Sequence, residues 1–396
     1  MSSTALDQST GPRLAADQAS WSLPAWTYRD PDFMALEREK IWRPAWHLVC
    51  HVSDLARSGD YRTFRLMGDL AIVLRGKDGE IRAFHNVCRH RAARLLDGEG
   101  GNCGGRITCP YHAWSFGLDG KLLGVPYIEE YENFDKADYG LVPIEHGIHA
   151  GFVYIRFATG GLSLEEEMEP VAEEMAIYRF EEMEPIGPIR TRIREVNWKN
   201  ACDNYVDALH IRVAHPGLDS LVRETYRLEV DRGVDKIFAS VDLPNRAGPS
   251  VDLYRRLLPP VDHLPEERQK LWTYYRIWPG LMFDVYPDQI DFMQFIPLTP
   301  TTCILRDGAY ALPDDRREMR LARYLNQRLN RDVNSEDRNL IERVQDGMGS
   351  TSFAAGPLGK NEICLRAFAE RMRDTIPIAR EREKPSRERL EAALAE

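Results

Sequence analysis

A chain of 396 residues, 43% apolar, 29% charged and 10% aromatic, carries enough core for two or three domains. Its net charge of −10 argues against nucleic acid as a partner, and no apolar run approaches the length that spans a bilayer. Its seven cysteines are an odd number with no secretion signal ahead of them, so they read as thiols or metal ligands in a reducing cytoplasm.

The start, "MSSTALDQSTGPRLAADQ", lacks an apolar centre and reads as a frayed terminus. Residues 31–42 predict a short amphipathic helix. From 43 to 157 short β-like runs such as "YRTFRLM", "LAIVLRG" and "GFVYIRF" alternate with Gly-Asp, Lys-Asp-Gly and Leu-Asp-Gly turns, which predicts a small all-β domain. The acidic stretch "LSLEEEMEPVAEEM" (162–175) reads as a helical connector. A strand, "PIRTRIREV", precedes a helix over about 197–213 and a polar, Pro-containing region up to 270. Strands "WTYYRIWP", "LMFDVYP", "IDFMQFIPL" and "TTCILRDGAYAL" follow, and two helices, "RREMRLARYLNQRL" and "SEDRNLIERVQDGM" from about 335, close the chain's pattern. The fold class is α+β, a β domain inside an α+β domain.

The densest chemistry lies at Cys88-x-His90 and Cys109-x-x-His112, two pairs separated by eighteen residues. Two thiolates and two imidazoles could hold tetrahedral zinc. A phosphate loop fits less well, because "GEGGNCGG" lacks the Lys-Ser/Thr and the helix that should follow. A Rieske [2Fe–2S] cluster takes two Cys on one iron and two His on the other. Each pair here runs Cys then His, so two similar loops can each give one ligand to either iron, shielded by the Pro and aromatics of "CPYHAW". The motif resembles that of the non-haem iron ring-hydroxylating oxygenases. That family usually has Gly where Ala92 stands, and a slightly shorter gap. Cys103 falls in the gap as a bystander.

The segment "NWKNACDNYVDALHIRVAHPG" (197–217) carries a second cluster. On a helix, Trp198, Cys202, Tyr205 and Leu209 share one face, and Asn200, Asp203, Asp207 and His210 the other. A solvated surface helix is the plain reading of such a pattern; against it, the polar face holds carboxylates, an amide and an imidazole. Pro216 disfavours helical geometry at His215, so the helix can end there and His215 swing back toward His210. Asp207, His210 and His215 match the Asp-x-x-His-x-x-x-x-His of the same oxygenases. The resemblance implies a downstream carboxylate as third iron ligand, in "NSEDRNLIERVQDGMGS". Asp337 could instead be an N-terminal helix acid capped by Asn334. Helical geometry sets it at the centre of an apolar face of Leu340, Ile341, Val344 and Met348, while Glu336 and Glu342 point elsewhere, and an acid on a buried face needs a partner. In the family the residue at Asp207 bridges a Rieske histidine of one subunit, here His112, to an iron-site histidine of the next, here His210. Asp203 and Asn204 are candidates for support.

The likeness runs from about residue 26 to 375. It implies the terminal oxygenase component: a Rieske domain (43–157) and a catalytic domain (1–42 and 158–396) of helix-grip form, an antiparallel sheet wrapped on a long helix. It further implies a [2Fe–2S] cluster on Cys88, His90, Cys109 and His112, mononuclear Fe(II) on His210, His215 and Asp337, and O2 as co-substrate. NAD(P)H enters only through a separate flavin- or ferredoxin-type reductase, the substrate is a small molecule and the assembly a cytoplasmic homotrimer. Three functions compete: an N-demethylating monooxygenase, a dioxygenase of aromatic rings or acids, and a non-catalytic Rieske electron carrier. "VYPDQIDFMQFIPLTPT" and "IERVQDGMGSTSFAAGPLG" resemble the proline betaine, glycine betaine and carnitine oxygenases. A quaternary ammonium group calls for aromatic faces. Trp272, Tyr274, Tyr275, Trp278, Phe283, Tyr286, Phe292, Phe295 and Tyr205 are the candidates, with plain core packing as the alternative.

Overall fold

The computed structural model describes residues 21–218, 225–241 and 249–395. The predicted frayed terminus and parts of the polar region before 270 lie outside the described residues. Asp30 starts the first helix, α1 (Pro31–Glu37), by accepting from the backbone N–H groups of Asp32 and Phe33, and Pro31 sits where its missing N–H has no cost.

A succession of short strands follows: β1 (His47–His51), β2 (Asp60–Leu66), β3 (Asp69–Arg75), β4 (Ile81–His85), β5 (Gly100–Asn102), β6 (Arg106–Thr108), β7 (Ser115–Gly117), β8 (Leu122–Gly124), β9 (Glu145–His149) and β10 (Phe152–Arg156). They form three sheets, ordered β1-β10-β9, β4-β3-β2-β5 and β6-β7-β8. The Lys-Asp-Gly and Leu-Asp-Gly turns end on Gly79 at φ 87° and Gly120 at φ 85°, backbone angles that cost glycine little. The acidic connector is the helix α2 (Leu164–Ile177), started by a capping box between Ser163 and Glu166.

The remaining elements are β11 (Glu184–Pro185), β12 (Arg190–Arg194), α3 (Trp198–Val206), α4 (Ile211–Ala214), β13 (Arg227–Asp231), β14 (Val234–Ser240), α5 (Pro249–Leu257), β15 (Leu271–Ile277), β16 (Leu281–Val285), β17 (Ile290–Thr299), β18 (Thr302–Ala311), α6 (Arg317–Gly347), α7 (Ile363–Thr375) and α8 (Arg387–Ala395). Their strands build one sheet, β11-β18-β17-β16-β15-β14-β13, with β12 also paired to β18. Alternation gives this sheet two different faces. Tyr275, Phe283 and Val285 pack with Phe152 and Tyr154 of β10 and Met168 and Val171 of α2. The opposite face sets Trp272 and Tyr286 against Ala322, Leu325 and Leu329 of α6. An antiparallel sheet thus grips a long helix, as expected.

Several sequence expectations fail, all of them in the helices. The two predicted C-terminal helices are one, α6, of 31 residues. Asn334 therefore caps nothing; its side-chain amide donates to the Asn330 carbonyl at 2.7 Å within the helix. The helix expected over 197–213 ends at Val206, because Asp207 takes extended angles (φ −77°, ψ 117°). Beyond that break the helical faces do not hold: Leu209 is 54% exposed, while Asn200, expected on the polar face, is buried. Val344, expected on the buried face of α6, is exposed, and Gln345 is buried in its place.

Candidate active site

The two Cys-His loops have the same backbone. Cys88 N–H donates to Ala93 O at 2.8 Å and Ala92 N–H to Cys88 O at 3.1 Å; Cys109 N–H donates to Trp114 O at 2.8 Å and Ala113 N–H to Cys109 O at 3.1 Å. Ala92 and Ala113 both sit at φ 56°, a left-handed conformation in which a Cβ is strained. That explains glycine as the usual residue at Ala92's position in the motif it resembles.

Both cysteines are buried. Burial and the adjoining Cys109 thiol raise Cys88 above the ordinary thiol range. The His90 and His112 rings lie 4.6 Å apart, and His90 stacks on Trp114 at 4.9 Å. Nδ1 of His90 is buried without a hydrogen-bond partner, an uncommon state for a ring nitrogen. Two thiols and two imidazoles on paired loops, one nitrogen left unsatisfied, fit a [2Fe–2S] cluster. Cys103 takes no part; its thiol donates to Gly59 O at 3.3 Å.

The break after α3 and the stripe of α6 build the second centre. Leu329, Val333, Asp337 and Ile341 recur every four residues on α6, so Asp337 lies in line with the core face at the point where a cavity replaces core. Nε2 of His215 is 2.9 Å and Nε2 of His210 3.4 Å from Oδ1 of Asp337. Donor atoms of the three residues lie within 4.8 Å of one another. The outward nitrogens are held as well: Nδ1 of His210 lies 3.1 Å from Asp207 and Nδ1 of His215 2.6 Å from Glu336. A carboxylate on the far nitrogen fixes the tautomer and aims the near one.

Burial alone would lower the His210 imidazole, but its bonds to Asp207 and Asp337 raise it to about 9. His215 is raised despite burial by Asp337 and Glu336. Burial pushes the Asp337 carboxyl up, yet the two imidazoles, with Asn204, hold it well below the usual range. A divalent cation at this point can replace those protons, so two imidazoles and a carboxylate fit a mononuclear iron centre.

Asn204 thus supports the centre directly. Asp203 braces α3 instead, accepting from the Tyr28 hydroxyl at 3.0 Å. Glu336, expected to point away, is the residue that sequence reasoning missed. No periodicity could reveal it, because its partner His215 is placed by the end of the short helix α4 before Pro216.

A cavity of about 130 Å³ adjoins the triad. Tyr205, Trp272, Tyr274 and Tyr286 from the candidate aromatics line it, joined by Tyr226, which the sequence did not suggest. Tyr275, Phe283 and Phe292 belong to the core on the opposite face of the sheet. Trp278 packs on Phe368, and Phe295 lies in the main core.

A family model of the ring hydroxylating alpha subunit (catalytic domain) matches residues 178–378, and one of the Rieske [2Fe-2S] domain matches residues 45–135. The carnitine monooxygenase oxygenase subunit of Escherichia coli (strain K12) is 31% identical over 349 residues, covering 86% of this chain and 87% of that protein. The glycine betaine monooxygenase oxygenase subunit of Pseudomonas aeruginosa (strain UCBPP-PA14) is 31% identical over 212 residues, 53% of this chain and 48% of that protein. Among solved structures, the quaternary ammonium Rieske monooxygenase CntA in complex with L-carnitine aligns with a TM-score of 0.76 at 25% identity, covering 90% of this chain and 97% of that one. A naphthalene 1,2-dioxygenase from Rhodococcus sp. shares the fold, with a TM-score of 0.75 at 20% identity over 92% and 95% of the two chains. The catalytic-domain match over half of the chain and the relatives spanning most of it place this protein among the Rieske non-haem iron oxygenases, as an oxygenase subunit with a [2Fe–2S] cluster and a mononuclear iron.

Proposed function

We propose that this chain is the oxygenase component of a monooxygenase that removes an N-methyl group from a betaine-type quaternary ammonium compound. The carrying observation is the wall of the cavity. Tyr205, Tyr226, Trp272, Tyr274 and Tyr286 line it beside His210, His215 and Asp337, and no Lys or Arg is among its described lining residues. A quaternary cation donates no hydrogen bond, so aromatic faces are the means of holding it, each worth roughly 0.5–2 kcal/mol.

Bound to Cys88, His90, Cys109 and His112, a [2Fe–2S] cluster supplies single electrons, and iron on His210, His215 and Asp337 supplies O2 activation. The protein's own part is placement. Asp207 and Glu336 hold the imidazoles in one tautomer, the rings orient the cation, and Ile211, Leu218 and Leu329 keep water from the reacting carbon. Hydroxylation of an N-methyl carbon turns a C–H into C–OH; the N–CH2OH product then loses formaldehyde and a proton and leaves a tertiary amine. We assign electron delivery to a separate flavin- or ferredoxin-type reductase. Residues 43–157 form the electron-carrying domain and the rest the catalytic one, and Asp207 joins His210 to His112 of the adjoining subunit in a homotrimer.

Reduced enzyme with a surrogate reductase is to be offered betaines, carnitine and a panel of aromatic acids. Formaldehyde matching O2 uptake with a betaine is expected. A cis-diol or phenol from an aromatic acid, with nothing from betaines, would transfer the assignment to the dioxygenase reading.

A further inference from the structure

Asp284 and Asp291 face each other as directly paired residues of β16 and β17. Like charges at such positions destabilise a sheet, and both have only neutral partners. Asp284 accepts from the hydroxyls of Tyr205 at 2.6 Å and Tyr286 at 3.3 Å. Asp291 accepts from the side-chain amides of Gln289 at 2.8 Å and Asn330 at 2.9 Å. Other buried acids are ion-paired, as Glu37 with Lys199 and Asp235 with Arg276, or held by a single tyrosine hydroxyl, as Asp203 and Asp288 are. Among the described residues no Lys, Arg or His lies within ion-pair distance of Asp284 or Asp291. Burial raises the Asp284 carboxyl to about 6, and burial with the charge of Asp284 raises Asp291. The pair is left without an ionic partner, and Asp284 faces the cavity beside the triad.

Asp284 lines the cavity beside the iron triad and also a larger cleft of about 440 Å³; Met293, Asn330 and Asn334 are common to both, so the two spaces adjoin across these side chains. Tyr205 and Tyr286, whose rings wall the cavity, are the residues that donate to Asp284. The acid therefore sits at the hydroxyl edges of the aromatic rings, where its negative charge favours a cation held on their faces.

The outer wall of the cleft has the opposite sign. Arg190, Arg192 and Arg194 alternate on β12, and Arg331 and Arg338 of α6 line the same space, Arg338 with Glu342 as its partner at 2.9 Å. The three strand arginines share one carboxylate: Arg192 bonds Asp307, and Arg190 and Arg194 act on it at longer range. Arg194 is half-buried, with Arg192 and Arg338 as positive neighbours. In a chain of net charge −10 this is a seat for an anion. It is concave and adjoins the metal cavity, which suits one end of a small molecule.

We propose that the two adjoining spaces read a zwitterion end to end: Asp284, backed by Asp291 across the strand pair, holds the cationic group beside the triad, and Arg194, with Arg192 and Arg338, holds the carboxylate in the cleft. This rests on the quaternary-ammonium reading of the cavity and adds the residues that set its specificity. A neutral group of the same shape gains nothing from the acid pair, and a cation without a carboxylate gains nothing from the arginines.

The test is calorimetric titration of the iron-loaded, full-length protein without reductant. Three probes separate the ends: γ-butyrobetaine, butyltrimethylammonium (no carboxylate) and 5,5-dimethylhexanoate (carbon in place of the quaternary nitrogen). Asp284→Asn should weaken both cations by about tenfold or more while 5,5-dimethylhexanoate changes less than about twofold. Arg194→Gln should weaken both carboxylates by about tenfold and spare butyltrimethylammonium. Iron content and cluster absorption report folding, and Asp291→Asn with the same probes replaces Asp284→Asn if that variant does not fold. Equal weakening of cation and neutral isostere, or none, overturns the proposal while the function stands. Failure of every quaternary ammonium compound to bind the unaltered protein overturns both.

Discussion

Glu336 and Asp337 are neighbours in sequence yet meet His215 on opposite ring nitrogens, at 2.6 Å and 2.9 Å. Removing each should therefore do different things. Asp337→Ala deletes a donor from the triad, so we expect loss of mononuclear iron and of activity, with cluster absorption kept. Glu336→Ala keeps the donors but frees the ring, so iron affinity should fall about 10–100-fold and recover with excess Fe(II). Chelator competition with metal analysis checks both; loss of iron in Glu336→Ala with retention in Asp337→Ala would exchange the two roles. The four Rieske ligands were legible because their loops are local and almost self-contained. Asp337 was reached through the resemblance and through a stripe that holds only in part, Ile341 and Met348 being buried and Val344 exposed, whereas Glu336 needed the position of His215. Asp284 makes a further residue-scale test. Its folded-state carboxyl is raised to about 6, above the roughly 3.9 of an unfolded chain. Its contribution to stability is therefore full below the unfolded value and lost as pH rises through about 6. Asp284→Asn, which abolishes that loss, should be more stabilising at about pH 8 than at about pH 4 by roughly 3 kcal/mol in urea unfolding. A pH-independent difference would contradict the sign.

At the scale of elements, the site depends on how α3 is held to α6. Oε1 of Gln345 accepts from the backbone N–H of Asn197 at 2.7 Å and from the Asn200 amide at 3.0 Å, both buried. Gln345→Ala would leave those donors unpaired, and we expect a loss of about 1–3 kcal/mol in unfolding free energy with faster iron release to a chelator. Unchanged stability would show that the tie is incidental. This junction is also where sequence reading erred. The 3.6-residue period is real from Trp198 to Val206, where Trp198, Cys202 and Val206 are buried, and it continues past Asp207 in the letters but not in the backbone. Conversely, the polar run around Asn330 and Asn334 reads as a boundary. It is helix nonetheless, because Leu325 and Leu329 before it and Ile341 after it anchor one face. Periodicity reports which residues are apolar, and tertiary contacts decide where an element stops.

For the whole molecule, the question is how two centres in one chain communicate. The ring and hydrogen-bond contacts of His90 and His112 run to Trp114, Tyr111 and Tyr131, and among the described residues none reaches His210, His215 or Asp337. Both centres do have exposed apolar neighbours: Tyr111 is 57% exposed, Leu209 54% and Val213 85%. That suits the proposed contact between subunits, in which Asp207 would complete the path. Asp207→Asn should keep both metals and slow single-turnover electron transfer about 10–100-fold. Cys88→Ala and Asp337→Ala subunits, each inactive alone, should regain activity when assembled together, and absence of that rescue would place the path within one chain. The architecture was legible through the family resemblance that the two metal motifs carry, the first on paired β loops and the second on helices. The faces of the sheet were not, since Tyr274 and Tyr275 look alike in sequence and only the position of α2 and α6 assigns one to the cavity and the other to the core.

The most direct test of the N-demethylase assignment is a single turnover without reductase. Pre-reduced enzyme is mixed with O2 and a betaine, and formaldehyde is counted against mononuclear iron. We expect about one formaldehyde per mononuclear iron in the unaltered protein and none from Asp337→Ala, although its cluster remains reduced at the start. Formaldehyde from Asp337→Ala, or none from the unaltered protein with any betaine while an aromatic acid is hydroxylated, would contradict it.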